Sequence, residues 1–403
     1  MSQLEDLITK YCPDGVDFIE LQKLFNTRNG YTPSRRKPEY WENGTVPWFR
    51  MDDIRANGNV LSKSTEYIAD SAVKKGRLFP ADTLIVATSA TIGVHALIEI
   101  PFLCNQRFTA LIINKEYKDL FRIKFLFYYC YVLDEWCLRN TTQSSFAAVD
   151  MKRFQDFKFP VPPLEVQDEI VRILDSFTQL EAELEAELEA RRKQYEYYRD
   201  SLLHFDDSKQ SLLDSEFQKN QFRDYLTVDE ICNVTRGKVI SKQYLRDHPG
   251  VYPVYSSQTI NSGIFGNIDS FMFDGEYLTW TTDGANAGSV FYRNGKFNTT
   301  NVCGLLELTD ERFDIRFLFH YLSIALPKYV STGMGNRKLM SNVVKSVRIP
   351  FVQKAEQKRI AAILDKFDAL VNDLSSGLPA EITARRKQYE YYRDRLLTFT
   401  PAK

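Results

Sequence analysis

From Leu164 onward, apolar side chains fall at Ile170, Ile173, Phe177, Leu180, Leu184, Leu188, Tyr195, Tyr198 and Leu202, mostly three or four residues apart with one gap of seven. Such spacing puts them on one stripe of an α-helix and matches a coiled-coil seam. A helix from Leu164 to His204 would be a rod roughly 60 Å long at ~1.5 Å per residue. The pattern then returns. Gln167, Ile170, Ile173, Leu174, Asp175 and Phe177 recur as Gln357, Ile360, Ile363, Leu364, Asp365 and Phe367, at an offset of 190. Residues 190–205 and 384–399 read ARRKQYEYYRDSLLHF and ARRKQYEYYRDRLLTF, identical at 14 of 16 positions and offset by 194. The second copy therefore carries four extra residues, around Ser375 to Leu378. Four residues are about 1.1 turns, so the apolar face nearly keeps its phase, and Pro379 just after them suits a kink or a fresh first turn.

The remaining pattern is mixed. Residues 2–11 place Leu4, Leu7, Ile8 and Tyr11 on one helical side. Between 17 and 160, short apolar runs such as Thr83–Ala87 and Ala110–Ile113 predict strands, and the aromatic stretch Phe121–Leu138 predicts a helix. Ser208–Asn220 predicts another short helix. Residues 222–349 repeat the earlier order: Tyr252-Pro253-Val254-Tyr255 stands where Val46-Pro47-Trp48-Phe49 stood, Tyr277–Thr282 where Thr83–Thr88 did, and Ile315–Leu326 replaces the aromatic helix. The fold class is α+β: two globular mixed α/β domains separated by two long coiled-coil helices in a pseudo-twofold internal repeat. The expected boundaries are 1–160, 161–207, 208–349 and 350–403. Copies related by such an axis lie antiparallel. The globular halves match only in pattern.

Charge changes the picture in one respect. Segment 161–205 has 5 basic and 11 acidic residues, net −6, whereas 350–403 has 10 basic and 7 acidic, net +3, which favours pairing of the two helices. The plainer alternative is two separate solvated helices. Over all 403 residues the net charge is −1, unlike a stand-alone DNA binder. No apolar run approaches the ~20 residues of a membrane span, and MSQLEDLITKY is no signal peptide, so the expectation is an intracellular, cytoplasmic protein without membrane contact. The six cysteines form no CxxC pair and do not align with the four histidines, so neither a metal site nor a cofactor is expected.

Two unlike globular domains alternating with near-identical helices resemble the specificity subunit of type I restriction-modification systems, over the whole chain. The likeness rests on Pro13-Asp14-Gly15-Val16, Thr32-Pro33-Ser34, Tyr40-Trp41-Glu42, Val46-Pro47-Trp48, Val254-Tyr255-Ser256-Ser257, Thr281-Thr282-Asp283-Gly284-Ala285 and both copies of ARRKQYEYYRD. The resemblance implies that each globular part is a target recognition domain for one half of a bipartite site in double-stranded DNA. It further implies that the helices space the two and bind two copies of a DNA-adenine methyltransferase subunit, with restriction subunits joining that core. Half-sites then lie about one turn, ~34 Å, apart. Because the domains differ, the target is asymmetric and interrupted. Near-neutral charge implies weak, salt-sensitive binding by the chain alone.

Candidate DNA contacts are polar and basic loops. In the first domain these are Arg35-Arg36-Lys37 with Tyr40, Arg50 as a bidentate guanine reader, Ser89 and Thr91, Asn105-Gln106-Arg107, and Thr141 with Gln143 and Ser144. In the second they are Arg236 and Lys238, Ser256-Ser257-Gln258, Asn261, Thr281-Thr282-Asp283, Asn286, Asn301, and the loop 331–338 with Asn336, Arg337 and Lys338. The last stands out because its glycines permit close backbone approach beside base and phosphate donors. Taken singly, each is an ordinary solvated loop on the plainer reading.

The helices carry two further signals. Outward-facing positions need not match for the seam to pack, yet Arg191, Lys193, Glu196 and Tyr197 equal Arg385, Lys387, Glu390 and Tyr391. A partner shared by both copies, the methyltransferase subunit, explains this; gene conversion is the alternative. Glu181–Leu188 is a tandem of EAEL, which reads plainly as an acidic helix with leucines inward. In the family that the chain resembles, such units set the spacer, and each adds ~6 Å of rise.

Catalytic signatures are missing. No glycine-rich turn suited to S-adenosylmethionine follows a strand, Pro162-Pro163 lacks the neighbours of an amino-methylation tetrad, and there is no P-loop. The chain reads as non-catalytic. Two rivals stay open: a metal-dependent DNA nuclease built on Asp82 and Glu116, and a coiled-coil scaffold that never touches DNA.

Overall fold

The computed structural model describes residues 2–74, 77–142, 147–205, 225–331, 336–373 and 376–403. The helix expected at 208–220, together with Gln143 and Ser144, lies outside the described residues. The chain divides into two compact units, residues 1–184 with 382–403, and residues 185–381. These divisions fall inside the helical stretches. Each unit holds one globular domain, the start of the helix that follows it and the tyrosine-rich end of the other helix.

In the first unit a five-stranded sheet runs in the order Phe25–Asn29, Phe108–Ile113, Thr83–Ala87, His95–Ile98, Val60–Leu61, antiparallel except for the last pair. A second, three-stranded sheet places Val46–Phe49 between Tyr67–Ile68 and Leu103–Cys104. Thr83–Ala87 is buried throughout and apolar from Leu84 onward because both faces are covered. Leu84 and Val86 enter a core with the aromatic helix Ile123–Arg139, while Ile85 and Ala87 enter one with Trp48, Phe49, Phe79 and Phe102. The helical core also takes in Val166, Ile170 and Leu174 from one rod and Leu396 and Leu397 from the other.

The second unit has a six-stranded sheet in the order Cys232–Arg236, Cys303–Leu308, Phe273–Thr281, Val290–Thr299, Pro249–Tyr255, Ile264–Ile268. Opposed Gly275 and Gly295, at φ 133° and 95°, sit across from each other in its longest pairing. Beneath the sheet, Leu278, Trp280 and Leu306 pack on Leu318 and Leu322 of the helix Ile315–Ala325. Asp314 caps that helix by accepting from the N–H groups of Arg316 and Phe317.

Leu164–Leu202 is one helix of 39 residues. The second stretch forms two, Lys354–Asn372 and Leu378–Leu396, with Pro379 in the first turn of the latter, where proline is tolerated. Within the first unit Phe177 stacks on Tyr392 and Glu181 pairs with Arg386. One number rises as the other falls, so these segments run antiparallel. In the second unit Phe367 stacks on Tyr195 and Tyr198, while Leu203 packs with Ile360 and Leu364, again antiparallel. The inward leucines of the EAEL tandem are less covered than expected: Leu184 and Leu188 are half-buried, and Leu180 just before them is 47% exposed. Close packing is concentrated at the aromatic ends.

Candidate nucleic-acid interface

The candidate loops are stitched together by main-chain hydrogen bonds, and the stitching is the same in both domains. Tyr31 N–H donates to the Cys104 carbonyl at 2.8 Å, as Lys238 N–H does to Thr299 at 3.2 Å. Asn105 N–H donates to Phe49 at 3.1 Å, as Thr300 does to Tyr255 at 2.8 Å. Thr88 N–H reaches Arg107 and Thr282 N–H reaches Val302; Val149 N–H reaches Thr88 and Leu339 N–H reaches Thr282. Ala90 N–H donates to Ala147 and Gly284 N–H to Arg337, beside the bridges Ser89 to Ala148 and Asp283 to Lys338. Two glycines make the crossing possible. A Cβ on Gly30 would lie 2.2 Å from the Asn105 oxygen, and one on Gly237 would lie 1.8 Å from the Thr299 oxygen.

This frame gathers Arg50, Ser89, Asn105, Arg107 and Thr141 in the first domain. In the second it gathers Lys238, Ser256, Asp283, Asn301, Arg337 and Lys338. Thr88 and Thr282 are alike, as are the two glycines, but the side chains at the loop tips differ: Arg50 corresponds to Ser256, Gln106 to Asn301, Ser89 to Asp283 and Ala148 to Lys338. Arg36, Lys37, Gln106, Arg107 and Thr141 are exposed, as are Lys238, Asn286, Asn301, Asn336, Arg337 and Lys338. Ser257, Gln258 and Thr91 are half-buried, and Asn261 is exposed at a turn.

Several side chains are engaged within the protein. Arg35 pairs with both oxygens of Glu66 and lies 3.4 Å over the Trp41 ring. Arg50 lies 3.5 Å from the same Glu66 and 3.3 Å from Asp52, an ion pair with each. Tyr40 lies under the Lys37 ammonium at 5.0 Å. The Asn105 side chain caps the Arg107 N–H at 3.0 Å. Arg236 donates to Ser341 at 2.9 Å. Thr281 and Thr282 are 1% and 0% exposed, and their hydroxyls donate to the carbonyls of Asn286 and Val302, so they build the loops from within. Sequence reasoning gave no sign of Glu66, of Gly30, or of Arg293, a strand residue whose guanidinium turns out buried under the loop at Ser256.

The tyrosine-rich repeats carry the second candidate surface. Tyr197 is 60% exposed and Tyr391 58%. Lys193, Glu196, Lys387, Glu390 and Arg385 are exposed too, and only Arg191 is half-buried. Arg191 donates to Gln194 as Arg385 does to Gln388, and Arg199 grips Asp200 as Arg393 grips Asp394. The outward faces thus match in conformation as well as in sequence.

Among the described residues no group of three or more His, Cys, Asp or Glu side chains is placed to hold a metal ion, and no helix is long and apolar enough to cross a membrane.

The family model of the type I restriction modification DNA specificity domain matches residues 13–190 and 224–384, once in each half of the chain. The EcoprrI specificity subunit of Escherichia coli is 42% identical over 396 residues, covering 93% of this chain and 92% of that one. A putative type I specificity subunit of Mycoplasma pneumoniae is 42% identical over 237 residues, 59% of this chain and 91% of its own length. Among solved structures, the S subunit of a type I restriction-modification system from M. genitalium superposes with a TM-score of 0.56 at 16% identity, covering 95% of both chains. A chain from work on complex assembly and conformational transition of the type I R-M system gives 0.60 at 16% identity, covering 96% of this chain and 98% of that one. A duplicated main-chain frame, repeated rods and two domain matches lead to one conclusion: the chain belongs to the family of type I restriction-modification DNA specificity subunits.

Proposed function

We propose that each globular domain reads one half of an asymmetric, interrupted site in double-stranded DNA, while the helices set the spacer and hold two methyltransferase subunits. The observation that carries this is the shared main-chain frame with unlike side chains upon it. One frame means two equivalent ways of meeting a duplex; unlike side chains mean two base sequences. The matching outward faces around Tyr197 and Tyr391 support two copies of one partner. On this reading the chain is a cytoplasmic reader without catalytic groups, and restriction subunits attach to the assembled core. One EAEL unit contributes ~6 Å of helix, comparable with one or two base pairs at ~3.4 Å, so its deletion shortens the spacer.

The test is co-expression with the neighbouring methyltransferase and mapping of methyladenine across the host genome. An interrupted, asymmetric motif is expected. Replacing residues 222–349 by those of a relative should change one half of the motif and leave the other. A change in both halves, or persistence of both, refutes the assignment. If Asp82→Asn and Glu116→Gln abolish cleavage by the chain alone, the nuclease alternative wins.

A further inference from the structure

One loop of the second domain is locked in place while offering solvent an aliphatic side chain, and its role rests on the reading of that domain as a DNA reader. The loop joins Pro249–Tyr255 to Ile264–Ile268. Ser256 N–H donates to the Gly263 carbonyl at 3.1 Å, closing its neck. Thr300 Oγ1 lies 3.1 Å from Ser256 Oγ, Asn286 Nδ2 donates to Thr259 Oγ1 at 2.9 Å, and Gln258 Nε2 donates to the Ile264 carbonyl. Under the loop sits Arg293, 7% exposed. Its guanidinium stacks 3.6 Å over Tyr255 and 4.5 Å over Phe291, and Nε donates to Thr279 Oγ1 at 3.1 Å. A Cβ on Gly263 would lie 3.1 Å from Arg293 Nη2, so the arginine fills the underside of the turn.

The backbone of the tip is unusual. Asn261 and Ser262 both take φ near +50°, at 52° and 50°, and Gly263 follows at 82°. Left-handed conformations at consecutive non-glycine residues are disfavoured and persist where the surroundings enforce them, typically at functional positions. This run turns Ile260 outward until it is 83% exposed, more than any other large apolar side chain among the described residues. A single exposed isoleucine is unremarkable by itself. One held out by a strained, fourfold-anchored loop beside Lys238, Asn261, Asn286 and Asn301 is placed for contact. Those neighbours are hydrogen-bonding groups suited to base edges, not the apolar rim of a protein hot spot. On base edges in the major groove, the one apolar feature is the thymine methyl.

We propose that Ile260 is a specificity-determining residue that packs against the 5-methyl group of a thymine in the half-site read by the second domain, with Arg293 as the positioning residue that holds the loop. Ile260 touches the base; Arg293 acts through the loop and never reaches DNA.

The test uses the chain assembled with its methyltransferase subunits and a duplex carrying the methylated motif. Each thymine is replaced in turn by deoxyuridine, which removes only the methyl group. Replacement at one position of the second half-site should weaken binding roughly tenfold, and replacements in the first half-site should not. Ile260→Ala should bind the unmodified duplex roughly tenfold more weakly, lose its response to deoxyuridine at that position, and keep the wild-type melting temperature. Arg293→Lys, which keeps the charge but loses the stacked plane, should relax discrimination at that same base pair alone. Wild-type affinity and wild-type deoxyuridine sensitivity in Ile260→Ala would overturn the assignment. So would a half-site without thymine, or a loss of DNA bending with no response to deoxyuridine, which would make Ile260 an intercalating wedge. Failure of the underlying reading would look different: the second half of the methylated motif would survive exchange of residues 222–349.

Discussion

Phe177 stacks on Tyr392 with ring centroids 5.5 Å apart and planes 27° apart. Phe367 and Tyr198, offset by 190 and 194 residues, form the same pair in the other unit at 5.5 Å and 26°. These contacts lock the head of each rod to the tail of the other copy. Truncating Phe367 to Ala removes a half-buried ring and its stacking, and should destabilise the second unit by about 1–3 kcal/mol. Phe177→Ala should do the same to the first. Urea titration of each variant checks this, and unchanged midpoints would show that the pairs carry no stability.

Gln167 and Gln357 are both 0% exposed and play one role twice. Gln167 donates to the carbonyls of Leu120 and Pro162 and accepts from Arg122 N–H at 2.8 Å. Gln357 donates to Arg312 and Val352 and accepts from Asp314 N–H at 2.8 Å. Each fastens the entry of a rod to the loop before a domain helix. Replacement by Leu keeps the bulk but strands one buried and two part-buried backbone groups, so Gln167→Leu should lower stability by about 1–3 kcal/mol. Calorimetry is the measurement.

Asp365 sits where Arg316 Nη2 and His320 Nε2 meet, the latter at 2.7 Å. Burial pushes its carboxyl up, but the donors from His320 and Arg316 outweigh that and hold it below its ordinary value. A carboxylate whose folded pKa is depressed contributes stability at neutral pH and loses it as pH falls through the folded value. Asp365→Asn should therefore cost about 1–2 kcal/mol near pH 7, allowing for screening at a partly exposed group. The gap from wild type should close as pH drops below about 4. Unfolding curves across that range decide; a gap independent of pH would exclude the ionic contribution.

Gly30 and Gly237 leave room for carbonyl oxygens that a methyl group would strike. Gly237→Ala should cost about 2–3 kcal/mol and blur recognition of the second half-site only. Gly30→Ala should blur the first. Melting temperature and methyladenine mapping provide the two readouts.

The rods were legible because their information is local and duplicated: the tyrosine-rich repeat and the 190-residue echo of Gln167 and Phe177 stand in the sequence itself. The strand Thr83–Ala87 was legible for the same reason, being apolar at nearly each step. What stayed hidden depends on distant partners. Glu66 lies 31 residues from Arg35, and no periodicity links them. Thr281 and Thr282 are polar in a polar stretch, yet their hydroxyls turn back onto carbonyls. The break between the helices Lys354–Asn372 and Leu378–Leu396 follows from Pro379, whereas the exposure of Leu180 does not follow from its place in the seam.

The crossing of loops at Gly30 and Gly237 uses only amide hydrogens and carbonyl oxygens, groups that almost every amino acid supplies. Exposed neighbours such as Gln106 and Asn301 are thereby released from that duty. If each domain reads a half-site as proposed, a new target sequence requires substitutions on an unchanged scaffold, and each half of the molecule is free to acquire one without disturbing its twin.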